Sequence, residues 1–175
     1  ILWAFAKVKQ SAPKLFNSMK FKIISELDTF YSRDLAITVW AYAKMNYRDP
    51  DLFHAISKRV VNQMDTLDSQ SMANTVNAYA KLNCEAPDLF DAISKRAVNQ
   101  IVNSNPQELA NIVNAFAKLN HEAPDLFDAV SKRAIIKIDT FNSQSMAKTV
   151  NAFAKLNQEA PDLFDAVSKR AIIKI

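Results

Sequence analysis

Residues 70–101 decide the fold: QSMANTVNAYAKLN at 70–83, CEA at 84–86 and PDLFDAISKRAVNQI at 87–101. At the helical rotation per residue, Met72, Ala73, Val76, Tyr79, Ala80 and Asn83 fall on one side of the first segment. Gln70, Asn74, Asn77 and Lys81 fall on the opposite side. In the second segment Leu89, Phe90, Ile93, Ala97 and Ile101 supply an apolar face. Pro87 suits a first helical turn, where its missing N–H leaves nothing unsatisfied. Asp88 and Asp91 stand toward the positive end of that helix's dipole, Lys95 and Arg96 toward the negative end. The stretch therefore reads as two amphipathic helices joined by a short turn.

The same reading repeats in both directions. The motif Pro-Lys-Leu-Phe at 13–16 becomes Pro-Asp-Leu-Phe at 50–53, 87–90, 124–127 and 161–164, always in steps of 37 residues and without insertions. The first segment returns in phase as Trp-Ala-Phe-Ala-Lys at 3–7, Trp-Ala-Tyr-Ala-Lys at 40–44, Asn-Ala-Tyr-Ala-Lys at 77–81, and Asn-Ala-Phe-Ala-Lys at 114–118 and 151–155. Residues 115–138 and 152–175 differ only at His121 against Gln158. Asn46, Asn83, Asn120 and Asn157 close the first helices, asparagine being the usual substitute for glycine in a left-handed cap. Asn105, Pro106 and Glu108 form the signature of a capping box at a helix start. Asp91–Lys95, Asp128–Lys132 and Asp165–Lys169 have the spacing of one-turn ion pairs.

A lone hairpin of this kind cannot bury both apolar faces, whereas stacked hairpins can. The expected fold is all-α: a right-handed α-solenoid of 37-residue helix-turn-helix repeats, in one array over 1–175. Its units cover about 1–30 (truncated), 31–67, 68–104, 105–141 and 142–175. Alanines such as Ala78 and Ala80 permit close helix approach. Ile1 aligns with Thr38, inside a first helix, and Ile175 with Ile138, so the array is expected to continue at both ends.

Composition removes other functions. The chain has no glycine, against an average of about 7%. A Walker loop, a dinucleotide fingerprint and a G-x-S-x-G elbow all require it. No apolar run approaches the roughly 20 residues of a membrane span. One cysteine, Cys84, excludes an intrachain disulfide, and His54 and His121 offer no metal-ligand spacing with it. No nucleophile–base set recurs in a placeable way. The expectation is a non-enzyme with no cofactor, no small-molecule substrate and no membrane insertion. The net charge of +4 leans toward an anionic partner.

The stretch Pro106-Gln-Glu-Leu-Ala-Asn-Ile-Val-Asn-Ala-Phe-Ala-Lys-Leu-Asn120 resembles the first helix of octotricopeptide repeats and the related 37-residue heptatricopeptide repeats, whose pattern is close to P-Q-E-L-A-N-T-L-W-A-L-A-K-L-G. Asp34-Leu-Ala-Ile-Thr-Val-Trp-Ala-Tyr-Ala-Lys44 matches it too. The resemblance implies paired helices that bind single-stranded RNA on their concave side in mitochondria or chloroplasts. It implies roles in RNA processing, stability or translation, or in organellar ribosomes. The chain departs from the pattern in two ways. The family tryptophan is kept at Trp3 and Trp40 but is asparagine at 77, 114 and 151, and the glycine after the first helix is asparagine.

The polar side of the first helices is the candidate RNA-binding site. Its members are Trp3 and Lys7; Arg33, Trp40 and Lys44; Gln70, Asn74, Asn77 and Lys81; Gln107, Asn111, Asn114 and Lys118; and Gln144, Lys148, Asn151 and Lys155. Amides carry both a donor and an acceptor for a base edge, lysine neutralises phosphate, and tryptophan stacks on bases. The residues leave other readings open: a solvated helix face, amide ties between units, tryptophans that pack interfaces, and lysines that serve only the helix dipole. As a whole the array is also compatible with a protein-interaction scaffold, including a subunit of a mitoribosome or similar organellar assembly, or with a consensus-like designed array. Ser-Lys-Arg at 57–59, 94–96, 131–133 and 168–170 reads as structural or convex surface. Gln10, Tyr47, Cys84, His121 and Gln158 share a loop column whose mixed chemistry suggests an exposed position.

Overall fold

A computed structural model describes residues 1–173 of the chain. Among them are ten α-helices and no strand: α1 Leu2–Val8, α2 Pro13–Ser25, α3 Ser32–Lys44, α4 Pro50–Asn62, α5 Ser69–Leu82, α6 Pro87–Asn99, α7 Pro106–Lys118, α8 Pro124–Ile136, α9 Ser143–Lys155 and α10 Pro161–Ile173. Odd-numbered helices pack mainly on one another in the order α1, α3, α5, α7, α9, and even-numbered helices form a second, looser row. Repeated helix-turn-helix packing of this kind is an α-solenoid.

Aromatic side chains join the rows across each step. The phenylalanine of each Pro-x-Leu-Phe motif meets a ring on the next odd helix: Phe16 with Tyr42 at 5.1 Å, Phe53 with Tyr79 at 4.8 Å, Phe90 with Phe116 at 4.8 Å and Phe127 with Phe153 at 4.9 Å between centroids. These eight rings are buried, and each such pair adds about 0.5–1.5 kcal/mol beyond area burial. Two of the rings bring a hydroxyl. Tyr42 donates to the Phe16 carbonyl at 2.7 Å and Tyr79 to that of Phe53 at 2.6 Å. Burial pushes both phenols well above their usual range, so they stay neutral donors.

The caps explain why no glycine is needed. Asn46, Asn83, Asn120 and Asn157 hold φ of 60°, 51°, 53° and 49°, and Lys9, in the same register, holds 56°. Asparagine tolerates this region at low cost. The next residue then bonds back five positions, as Tyr47 to Tyr42, Cys84 to Tyr79, His121 to Phe116 and Gln158 to Phe153, at 2.9–3.0 Å. Side-chain caps hold the other ends. Asp68 and Asn142 accept from the third residue onward, and Asn105 and Glu108 complete the capping box in both directions.

Several expectations need correction. The helix expected to reach residue 101 ends at Asn99, and Ile101–Asn103 forms a 3₁₀ turn, as do Leu27–Thr29, Met64–Thr66 and Ile138–Thr140. Ile101 is consequently only half-buried, and Asn83 is exposed rather than inward because it carries the left-handed cap. The loop column is not uniformly exposed. Cys84 is buried, and Tyr47 and His121 are half-buried against rings. The back-bond is the cause, since it folds each of these side chains over the aromatic pair just closed. Asp128–Lys132 and Asp165–Lys169 pair as spaced, both at 2.7 Å. Asp91 instead meets Nε2 of His121 at 2.8 Å, a partner that only this unit offers. The alignment of Ile175 lies outside the described residues.

The Ser-Lys-Arg motif is structural through its arginine. Arg59, Arg96 and Arg133 each donate to a carbonyl of the preceding 3₁₀ turn, Asp28, Asp65 and Val102, at 2.7, 2.6 and 2.6 Å. Arg170 reaches the carbonyls of Ile138 and Phe141. A guanidinium offers several donors in one plane, so each arginine pins its helix to the previous unit.

Candidate nucleic-acid interface

The proposed stripe lies along the odd-numbered row, and its edges differ from its middle. Gln70, Gln107, Gln144 and Arg33 at one edge are exposed, as are Lys7, Lys44, Lys81, Lys118 and Lys155 at the other. Between them Trp40, Asn74, Asn77, Asn111, Asn114 and Lys148 are half-buried, while Trp3 and Asn151, on the two outermost odd helices, are exposed. The inner positions lose exposure because each odd helix is hemmed in by its neighbours.

Some of the middle residues are already engaged. Lys148 donates to the Asn111 side-chain oxygen across the α7–α9 step at 3.0 Å. The Asn77 amide donates to the Ala73 carbonyl on its own helix at 2.7 Å. Trp40 packs against the core. Trp3 lies under the Lys7 ammonium, 6.0 Å from the ring centroid, a weak cation–π contact. Part of the stripe thus ties units together or caps backbone, while its two edges, Lys81 apart, keep their donors toward solvent.

The lysine column is the most coherent feature. Lys81 lies close enough to Lys44 to place its Nζ 3.5 Å from that residue's carbonyl, 37 positions earlier. Its ammonium is held below the usual lysine range, first by partial burial and then by repulsion from Lys44, Lys118 and Lys9. Lys44, Lys81 and Lys118 stand at the C-terminal ends of α3, α5 and α7, and Lys9 stands just beyond α1. The carbonyl ends of the helices favour cations there. An anion between these groups relieves their mutual repulsion. Lys9 was missed from sequence because it stands in the register of the asparagine caps, two residues beyond the lysine column; that register itself was the signal.

No helix of the described residues is long and apolar enough to cross a membrane. Among them no group of three or more His, Cys, Asp or Glu side chains converges as a metal site.

The fold defines a helical-repeat protein of the α-solenoid class. More specifically, the chain belongs to the RNA-editing substrate-binding complex 6 protein family, whose model matches residues 1–175. The match is not specifically to octotricopeptide or heptatricopeptide repeats. No curated protein matches the chain.

Proposed function

We propose that this protein is a non-catalytic subunit that holds single-stranded RNA along its odd-numbered helices inside an RNA-editing assembly. The family's name, a component of a complex that binds editing substrates, supports the setting. The observation that carries the chemistry is the column of exposed lysines, Lys44, Lys81, Lys118 and Lys155, at the ends of successive odd helices, with Lys81 Nζ 3.5 Å from the Lys44 carbonyl. Lysines at the helix ends contact phosphates, and the exposed Gln70, Gln107 and Gln144 with the free faces of the amides and of Trp3 meet splayed bases. The likeness to octotricopeptide arrays supports a one-unit-per-nucleotide register over the five units. Editing assemblies are typically mitochondrial, which favours the mitochondrion over the plastid and a role in editing over one in translation.

The rival reading, a scaffold that holds protein in the same trough, draws on the engagement of Asn77, Asn111 and Lys148 in structural bonds. Titration of a fluorescent single-stranded RNA separates the two. Four lysines each displacing a counterion give a slope of about −3 for log affinity against log salt. Lys81→Glu, Lys118→Glu and Lys155→Glu together are expected to abolish binding with the melting curve preserved. Undiminished RNA affinity in that variant, or a slope near zero, overturns the proposal.

A further inference from the structure

The even-numbered row carries a feature that the lysine column does not explain. These helices touch one another less than the odd ones do, and grooves open at three successive steps of the row, from α4 to α10. One, of about 440 Å³, lies between α4 and the start of α6, floored by Val61, Ala86 and Leu89. Its equivalent between α6 and α8, of about 460 Å³, is floored by Val98, Ala123 and Leu126. A third, of about 230 Å³, lies between α8 and α10 over Ile135 and Ala160. The second is the first displaced by one repeat, and the third shares most of the same positions but is deeper toward Phe127 and Phe153 and lacks the leucine floor.

The rim of each groove is acidic in the same way. Glu85 and Asp88 border the first, Glu122 and Asp125 the second, Glu159 and Asp162 the third. Among the described residues none of these six carboxylates makes an ion pair, although Asp128 and Asp165 close by do. The helix N-terminus beside Asp88, Asp125 and Asp162 compensates part of one charge per pair. Lys58 and Lys95 stand on the opposite rims, and Lys132 is taken by Asp128. The surface is thus an apolar ladder edged by net negative charge. Such an edge repels phosphate and attracts cations.

We infer that the even-numbered face docks a partner protein through an amphipathic helix whose apolar anchors recur every seven residues with lysine or arginine beside them. The spacing follows from geometry. The grooves recur once per repeat; the directly packed odd helices set that step at about 8–10 Å, the looser even row opens it slightly further, and seven residues of α-helix advance about 10.5 Å on one face. An extended strand covers a similar distance in about three residues, but successive anchors then point to opposite sides. A helix therefore seats one apolar side chain in each groove. This face stands on the other row of helices from the lysine column, so protein and RNA bind without competing.

The test uses the full chain and a synthetic peptide of about 21 residues, three seven-residue steps, with leucine on one helical face and lysine beside it. Its scrambled isomer and its lysine-to-glutamate counterpart serve as controls. By fluorescence anisotropy the ordered peptide is expected to bind at least about tenfold tighter than the scrambled one, a difference of about 1.4 kcal/mol, and the glutamate form not at all. Glu122→Lys with Asp125→Lys, both exposed positions, and separately the groove-filling Ala123→Trp, are each expected to weaken binding about tenfold or more. Ala123→Trp, which leaves the charge unchanged, keeps its RNA affinity. A photo-crosslinker at Asn99 in the assembled complex is expected to capture a basic amphipathic helix of another protein. Equal binding of the scrambled peptide, indifference to the charge reversal, or crosslinks from Asn99 to RNA or to a second copy of this chain overturn the inference.

Discussion

The two rows of helices are built from the same 37-residue repeat and hold together by different means. Odd helices carry short, buried side chains: Ala41, Ala78, Ala115 and Ala152 are all at or below 3% exposure, and the helices press directly on their neighbours. Even helices touch each other less, and long-range donors from Arg59, Arg96, Arg133 and Arg170 tie them to the 3₁₀ turn behind. The difference teaches how one repeat makes two surfaces. Tight packing of the odd row brings the lysines of successive units close together, and loose packing of the even row leaves grooves at the steps from α4 to α10.

The comparison can be broken most severely by enlarging an odd-row alanine. Ala115→Leu, at a fully buried position on a helix held between α5 and α9, is expected to cost about 1–3 kcal/mol by overpacking. Ala129→Leu, on the half-buried face of α8, is expected to change stability by less than about 0.5 kcal/mol. Urea melts of the two variants measure this, and equal costs erase the distinction between the rows.

Removing a tie from the even row comes next. Arg96→Leu loses the bond to the Asp65 carbonyl, worth about 1.5 kcal/mol for a charged donor. The accompanying pair with Asp65 at 3.9 Å is solvent-exposed on the aspartate side and adds little. Hydrogen exchange is expected to rise first in the Met64–Thr66 turn and the α6 terminus, and a change confined to the odd helices contradicts the division of labour.

Tyr79→Phe is a smaller perturbation. It removes one buried hydrogen bond to Phe53, about 1 kcal/mol, while keeping the ring contact that Phe116 and Phe153 already make without a hydroxyl. A thermal melt suffices, and a loss of several kcal/mol shows that the phenol does more than bridge one step.

The smallest effect sharpens the lysine reading. Because the Lys81 ammonium titrates below the ordinary lysine range, it loses its charge earlier as pH rises, so RNA affinity is expected to begin falling at a lower pH than in Lys81→Arg, whose guanidinium stays charged. The expected separation is a few-fold on the alkaline side, and it vanishes at neutral pH, where both are cationic. Coincident pH profiles remove Lys81 from the phosphate contacts.

Much of this was legible before any coordinates. The 37-residue period, the prolines that open the even helices, the asparagines that close the odd ones and the Asn105–Glu108 box are local features, decided by backbone conformation and neighbouring side chains. The candidate stripe was legible as a set of positions on one helical face. Its inner half-burial was not, since that depends on how closely α5, α7 and α9 approach. The loop column was misread because residue type alone does not reveal a back-bond that carries His121 onto Phe90 and Phe116. The arginine ties were invisible for a similar reason: their acceptors are carbonyls about 31 residues away, and a carbonyl leaves no mark in the sequence.

Period, helix limits near the caps and the alternation of apolar and polar faces were therefore settled by the amino-acid order itself, through torsional preference and helical rotation. The tertiary structure alone decided which lysines stand close together, which amides are spent between units and where grooves open. Those are properties of distance between neighbouring repeats, set by side-chain volume summed over two rows that pack with unequal closeness.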